Sequence, residues 1–270
     1  SVWLKLNDNT RNYVIIGNGN DQNMNYTLGI NSFKDRNGTV YFFWEPSDGK
    51  EHGTKSLTTL NNDTWYYLTA VFDGSYSKLY INGVLNNQVQ ETGTPNTDNR
   101  SLYFGLSGEF PDHELNGKLD DVTIWNEAIT AAEIAALYNS GTPIDASSNS
   151  GNYTSSANLQ AYWNFNEGTG SILTDQTSNG NDGTIYGATW STDTPDPLPP
   201  PPDYDNYSLS FDGEDDYVEI ADSDELDGME QLTVQFWANL AEYSLDESKG
   251  INFVIKTEHP SDYISYSFYT

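Results

Sequence analysis

Cysteine is absent from this 270-residue sequence, so no disulfide can hold the fold together. This excludes the small disulfide-rich secreted domains and leaves export open. Long apolar runs are absent too, since no segment approaches the ~20 apolar residues of a membrane-spanning helix. The chain does not open on a signal peptide: residues 1–6 alternate as a strand does, which predicts that the sequence starts inside a domain.

Basic residues are scarce. Lysine and arginine number 11 against 40 aspartates and glutamates, which gives a net charge of −29. A surface this negative repels phosphate backbones and anionic lipids, so we expect no nucleic-acid partner and no membrane insertion. The same carboxylates favour divalent cations, calcium above all, because calcium prefers hard oxygen ligands.

Aromatic and turn-forming residues are abundant, with 19 tyrosines, 7 tryptophans and 22 glycines. Aromatic residues favour strands, and glycine with asparagine favours turns. Short alternating runs predict strands at residues 13–16, 39–44, 65–72, 78–81, 101–106, 118–125, 159–165 and 184–186. Asn82-Gly83 predicts a type I′ hairpin, and residues 17–20 are predicted to turn. Many short strands at this spacing indicate an antiparallel β-sandwich.

One short helix is predicted. Thr130 and Glu133 form a capping box ahead of an apolar segment, and Gly141 with Pro143 ends it. We expect this helix to cover one edge of a sheet.

A proline-rich segment divides the chain. Six of the eleven prolines lie within residues 195–202, which predicts a stiff polyproline II spacer. Beyond it the sequence begins again: residues 232–240 are similar to 1–6, and Trp237 follows Trp3 by 234 residues. The predicted division is a first domain at 1–193, a linker at 194–204 and the opening part of a second domain at 205–270.

Four segments carry a family resemblance: residues 207–220, 64–83, 117–126 and 159–190. Together they resemble laminin-G-like domains of the concanavalin A-like superfamily. The resemblance implies an all-β antiparallel jelly-roll sandwich with one short helix. It also places 207–220 at the start of a domain, so residues 1–193 lack their opening strands. We expect those strands to come from upstream residues or, by strand exchange, from the 205–240 segment of a neighbour, because an unpaired sheet edge is costly.

The same resemblance implies a structural calcium beside the opening strand and the strand before the helix. It nominates Asp212, Asp215 and Asp216 in the second domain, and Asp120 or Asp121 in the first. Clustered aspartates with nearby glycine carbonyls supply the six to eight oxygens that calcium needs. The alternative is that these residues form turns and remain solvated.

Two further candidate sites follow from the residues. Glu225-Leu226-Asp227-Gly228-Met229-Glu230 is similar to the paired-carboxylate signature of laminarinase-like glycoside hydrolases. Its loop setting and its glycine depart from that signature, so we assign no catalytic residue and predict that the chain is not an enzyme.

Trp44 ends a predicted strand beside a polar loop that holds Asp48 and His52. Its ring could stack on a sugar while those neighbours bind hydroxyls. The alternative is a rim residue that covers the sheet. Trp65 and Trp125 alternate within strands and are predicted to lie in the core.

These features favour a non-catalytic adhesion or glycan-binding module of a repetitive secreted or cell-surface bacterial protein. Its expected partners are cell-surface or extracellular glycans, and its expected cofactor is structural calcium. A structural repeat of an extracellular filament, a homo-oligomer built by strand exchange, is the alternative. A glycoside hydrolase or its accessory domain is the third hypothesis.

Overall fold

The computed structural model describes residues 1–20, 23–31, 37–46, 52–97, 101–106, 114–195, 207–212, 215–221 and 232–239. For residues 18–20, 23, 24 and 232–239 only the backbone is described. The elements in these ranges are β1 (Val2–Leu6), β2 (Tyr13–Asn20), β3 (Asn23–Ile30), β4 (Thr39–Trp44), β5 (His52–Thr59), β6 (Trp65–Phe72), β7 (Tyr76–Ile81), β8 (Val84–Gln90), β9 (Leu102–Phe104), β10 (Asn116–Trp125), α1 (Ala131–Tyr138), β11 (Leu159–Trp163), β12 (Ile172–Leu173), β13 (Gly183–Tyr186), β14 (Thr189–Ser191), β15 (Ser208–Asp212), β16 (Tyr217–Ile220) and β17 (Leu232–Asn239).

The strands form two sheets. In the first sheet the order is β14-β15-β10-β1-β17-β6-β7-β8, where β1 and β17 each pair with both β10 and β6, and β11 also pairs with β10. In the second sheet the order is β12-β13-β16-β9-β2-β3-β4-β5. Every described pairing is antiparallel except that of β1 with β17. The predicted all-β antiparallel sandwich with one short helix is therefore confirmed.

The main core lies between the two sheets, because alternate residues of each strand point inward. On β10 these residues are Leu119, Val122 and Ile124, all fully buried. Trp163 of β11 meets Phe104 of β9 edge to face, with ring centroids 5.0 Å apart. Each such buried side chain contributes about 1.5–3 kcal/mol by leaving water.

A second, smaller core lies between the first sheet and α1. Ile134 and Leu137 of the helix pack with Trp3 of β1, Tyr67 of β6 and Trp125 of β10. The helix lies beside the edge strand β8, as expected, and extends from there over the outer face of the central strands. The physical reason is that central strands offer apolar side chains on this face. Trp125 is buried as predicted, whereas Trp65 is only half-buried at the border of this core.

The helix begins as the sequence predicts. Glu133 N–H donates to Thr130 Oγ1 at 3.3 Å, and Thr130 N–H donates to Glu133 Oε2 at 2.9 Å. This reciprocal capping box satisfies two backbone groups that a helix start otherwise leaves unpaired. No helix in the described ranges is long and apolar enough to cross a bilayer.

Two turn predictions had different outcomes. Asn82 (φ 50°) and Gly83 (φ 76°) both take the left-handed conformation between β7 and β8, which confirms the type I′ hairpin. Residues 17–20, predicted to turn, instead continue β2. The backbone of Gly17 is opposite Thr27 on one side and Tyr103 on the other, so pairing on both edges overrides the local glycine signal.

The sandwich is completed from beyond the proline-rich segment. β15 pairs with β14 and β10, and β16 pairs with β13 and β9, so residues 208–220 enter both sheets. We expected the extra strands for residues 1–193 to come from upstream residues or from the 205–240 segment of a neighbour, but in this structure β15 and β16 of the same chain supply them. The division of the sequence into two domains remains a prediction.

Candidate ligand-binding site

A row of three tyrosines crosses the outer face of the second sheet where β16 completes it. We call Tyr186 of β13, Tyr217 of β16 and Tyr103 of β9 the tyrosine row. Tyr186 lies directly opposite Tyr217, and Glu219 lies opposite Tyr103. The intervening residues are buried in the main core: Ile185, Val218, Leu102 and Phe104. Because strand side chains alternate, the tyrosines lie on the outer face.

The tyrosine row becomes more exposed from one end to the other. Tyr103 is 5% exposed, Tyr217 is half-buried and Tyr186 is 41% exposed. The rings of Tyr186 and Tyr217 stack at 21° with centroids 4.5 Å apart, and Tyr103 meets Tyr217 edge-on at 6.0 Å. One face of Tyr186 is therefore covered by Tyr217. Its other face and its edge account for the exposure, which leaves an aromatic surface open to a ligand.

Polar groups accompany these rings. The Tyr103 hydroxyl donates to Glu219 Oε1 at 3.3 Å, which fixes the carboxylate on the outer face. Burial raises the pKa of Tyr217, and the charge of Glu219 and the neighbouring Tyr186 raise it further. The Tyr217 hydroxyl thus stays protonated at neutral pH and can donate a hydrogen bond.

An acidic cluster lies at the end of the tyrosine row. It consists of Asp212, Asp215 and Asp216, whose carboxylate oxygens lie within 4.8 Å of one another. Asp216 is only 5% exposed, and its Oδ2 accepts the Asp212 N–H at 2.7 Å. Asp216 immediately precedes Tyr217, so the cluster and the row share the start of β16. The three second-domain aspartates that the family resemblance nominated therefore come together.

The electrostatics of the acidic cluster suit a cation. Burial raises the pKa of Asp216 to about 6, against the lowering effect of the Asp212 N–H, and the charges of Asp212 and Asp215 raise it further. Calcium takes six to eight oxygens, and three carboxylates with two oxygens each supply much of that number. A divalent cation would offset the repulsion between these like charges.

The backbone around Asp216 leaves space for its carboxylate. Gly187, at φ 76°, directly follows Tyr186, and a Cβ at this glycine would overlap Asp216 Oδ1. Any other residue would both strain the backbone and displace the carboxylate. The residues present therefore fit a hard divalent cation.

The first-domain pair, Asp120 and Asp121, lies elsewhere. It occupies an irregular step of β10, where Asp121 has φ 50° and its Oδ1 accepts the Tyr162 hydroxyl at 2.7 Å. Asp120 is 1% exposed, and neither of its carboxylate oxygens has a hydrogen-bond partner among the described residues. Burial raises the pKa of both groups, that of Asp121 to about 7. In the described part of the chain the pair belongs to no group of three acidic side chains close enough to share an ion.

The predicted sugar-stacking residue is in the core. Trp44 has no exposed surface, its Nε1 donates to Ser77 Oγ at 2.9 Å, and Phe72 packs against its ring at 4.4 Å. The expectation that Trp44 stacks on a ligand is wrong, because β7 and β6 of the facing sheet enclose it. His52 lies on the Trp44 ring at 4.9 Å, and its Nδ1 is 2.7 Å from Glu91 Oε2.

Two candidates lie outside the described residues. These are Asp48, the third member of the predicted sugar site, and the carboxylate motif at 225–230. Sequence reasoning also missed the tyrosine row. Its signal was present as tyrosines that alternate with apolar residues at 185–186 and 217–220, but only the pairing of three distant strands aligns them.

Comparison with known proteins identifies the superfamily to which the chain belongs. A sequence profile of the concanavalin A-like lectin/glucanases superfamily matches residues 1–135, half of the chain. The chain belongs to this superfamily. The superfamily's name covers sugar-binding proteins and sugar-cleaving enzymes alike, so membership is compatible with either activity.

One known sequence and one solved structure are similar to part of this concanavalin A-like chain. Human pappalysin-1 is 26% identical over 151 residues, which is 49% of this chain and 9% of pappalysin-1. The chain thus spans less than a tenth of that protein. A solved structure of a candidate carbohydrate-binding protein from Bacteroides ovatus ATCC 8483 aligns with 67% of this chain and 49% of its own, at 15% identity and a TM-score of 0.47.

Proposed function

We propose that this chain is a non-catalytic carbohydrate-binding module whose ligand lies on Tyr186, at the exposed end of the tyrosine row. The observation that carries the proposal is the geometry of this ring. Its inner face is stacked on Tyr217 at 4.5 Å, and the ring is nevertheless 41% exposed. A rigidly held aromatic ring loses little side-chain entropy when a ligand covers it.

The chemistry around the ring suits a sugar. The apolar C–H face of a pyranose packs on an aromatic ring, and its hydroxyls need nearby acceptors and donors. Glu219 and the acidic cluster supply acceptors, and the tyrosine hydroxyls supply donors. The net charge of −29 favours a neutral or cationic ligand over an acidic polysaccharide.

We propose in addition that the acidic cluster binds calcium. The ion would join the end of β15 to the start of β16 and hold Tyr217, and through it Tyr186, in position. The support is the close approach of three carboxylates, one of them buried, beside a glycine that leaves room for it. The bound ion would supply positive charge and rigidity.

The setting we propose is the outside of a cell. The repeat of residues 1–6 at 232–240, the proline-rich segment and the acidic, cysteine-free composition support a repetitive secreted or cell-surface protein of bacterial type, with extracellular glycans as partners.

A glycan array followed by titration calorimetry tests the ligand site. Tyr186→Ala should raise the dissociation constant of the best glycan at least tenfold, which is a loss of ~1.4 kcal/mol of binding free energy. Tyr186→Phe should keep the ring and most of the affinity. The matched control is Tyr76→Ala, which removes a half-buried tyrosine from the other sheet. Unchanged affinity in Tyr186→Ala would refute this site. Polysaccharide cleavage that is lost in Glu225→Gln would refute the absence of catalysis.

Thermal unfolding tests the calcium site. Calcium should raise the melting temperature relative to chelator, and Asp215→Asn should remove most of that rise. Asp63→Asn is the control, since Asp63 is another exposed turn aspartate, distant in sequence from the acidic cluster. A rise that Asp215→Asn leaves intact would place the ion elsewhere.

A further inference from the structure

Two strands of the first sheet, β1 and β17, both pair with β10 on one side and β6 on the other. We call the place between β10 and β6 the strand position. Against β10, Trp3 and Trp237 both lie opposite Asp120, and Leu4 and Ala238 both lie opposite Leu119. Against β6, Val2 and Phe236 both lie opposite Leu68. β1 and β17 are therefore equivalent, residue for residue, at the offset of 234 that the sequence repeat shows.

The equivalence continues beyond β1. Ser1 exchanges backbone hydrogen bonds with Thr123, and Gln235 is the register partner of the same Thr123. β17 goes further along β10, where Val234 and Thr233 lie opposite Ile124 and Trp125. A strand bonds one neighbour along each of its two edges, and β1 and β17 both lie on the side of β10 that faces β6, so β10 cannot bond both of them at the same residues. β1 and β17 are thus alternative occupants of the strand position.

Both strands have a sequence that suits this place. Val2, Leu4 and Leu6 of β1 are fully buried in the main core. At the register positions of Val2 and Leu4, β17 carries Phe236 and Ala238, and Leu232 and Val234 continue the alternation. A strand with this pattern that is excluded from one sandwich exposes an apolar face and unpaired backbone groups, which favours pairing with another sheet.

The segment that carries β17 already joins both sheets. β15, β16 and β17 all follow the proline-rich stretch of the sequence, and together they pair with β14, β10, β13, β9 and β6. We call the three strands β15, β16 and β17 the donor arm. An arm that pairs in these registers within its own chain can form the same pairs with an identical chain, which is the low-cost route of domain swapping.

We propose that the donor arm is exchanged between copies of this chain, so that β17 of one copy displaces β1 from the strand position of another. The occupant is β17 of a second copy, because a second copy carries the same strand and offers the same register against Asp120. Repeated in one direction, this contact joins copies head to tail. The proposal does not depend on the sugar or calcium site.

Disulfide trapping tests the exchange, and the absence of native cysteine makes every cross-link unambiguous. Lys118 is the register partner of both Lys5 and Asn239, so strand-partner Cα spacing permits a disulfide at either pair. A chain with Lys118→Cys is mixed with a mass-tagged chain with Asn239→Cys and oxidised at a series of concentrations. The matched control replaces Lys118→Cys with Lys55→Cys, which lies on β5 of the other sheet.

We expect a mixed disulfide dimer that increases with protein concentration and exceeds the control mixture at least tenfold. A single chain with Lys118→Cys and Asn239→Cys should also cross-link internally, which shows that β17 reaches the strand position. A mixture that yields no more dimer than the control at any concentration overturns the exchange. Two results taken together also overturn the exchange. They are full internal cross-linking in a chain with Lys5→Cys and Lys118→Cys, and no internal cross-linking in a chain with Lys118→Cys and Asn239→Cys.

Discussion

Asp121 should make the protein less stable as the pH rises, and Asp121→Asn should remove this effect. Its carboxylate is half-buried beside the fully buried Asp120, and its pKa is raised from 3.8 to about 7. Between these two values the folded state holds a proton that the unfolded state has lost. Stability therefore falls as the pH rises through this window and stays lower above it.

The magnitude follows from the two pKa values. At 1.36 kcal/mol per pH unit, the gap between 3.8 and about 7 corresponds to about 4 kcal/mol at alkaline pH. About 1.5 kcal/mol of this is already present at pH 5. The advantage of Asp121→Asn should thus grow by about 3 kcal/mol from pH 5 to pH 8. Asparagine keeps the oxygen that accepts the Tyr162 hydroxyl and tolerates the φ of 50°.

Urea unfolding followed by tryptophan fluorescence at pH 5, 6, 7 and 8 measures this difference. The control is Asp63→Asn, which changes an exposed aspartate at a similar φ of 56° and so reports the effect of the amide alone. A stability difference between Asp121→Asn and wild type that does not vary with pH would refute the reasoning. So would a loss of stability at pH 8, which would indicate that the ionised pair has a partner such as a bound cation.

Two other predictions concern the cores. Burial raises the pKa of Glu133, but the hydrogen bonds that it accepts from Ser155, Thr130 and Thr154 together lower it to about 2. Glu133→Gln should therefore cost about 3 kcal/mol at pH 7. That cost should vanish as the pH falls through about 2, and a cost unchanged by acid would contradict the charge-based account. Trp44→Ala should lose about 3–5 kcal/mol in urea unfolding, because it empties a fully buried site. Unchanged stability would show instead that Trp44 lies at the surface.

Much of the fold was predictable from local chemistry. Period-two alternation marks β6 at residues 65–72, Asn82-Gly83 marks its hairpin turn, and Thr130 with Glu133 marks the start of α1. These features depend on residues within a few positions of one another, so the sequence specifies them before any tertiary contact forms. Where a local signal competed with pairing, as at residues 17–20, the two flanking strands decided the outcome.

The candidate site was only half predictable. Asp212, Asp215 and Asp216 are neighbours along the chain, and the structure keeps them together. Trp44 had the composition of a sugar-binding residue, but its exposure depended on whether the facing sheet covers it, and Phe72 and Ser77 do so. Tyr103, Tyr186 and Tyr217 come from three strands far apart in sequence, so no local pattern could align them.

The repeat shows the same division. The sequence alone revealed that residues 232–240 resemble residues 1–6, since a similarity at a fixed offset can be seen without a structure. Tertiary structure decided what the resemblance means: β1 and β17 lie in the same register against Asp120, and only one of them can bond that edge. Sequence thus determined strands such as β6, the start of the helix and the acidic cluster through local chemistry. The tyrosine row and the shared strand position arise from long-range hydrogen bonding, whose register is fixed only when the two sheets close on their core.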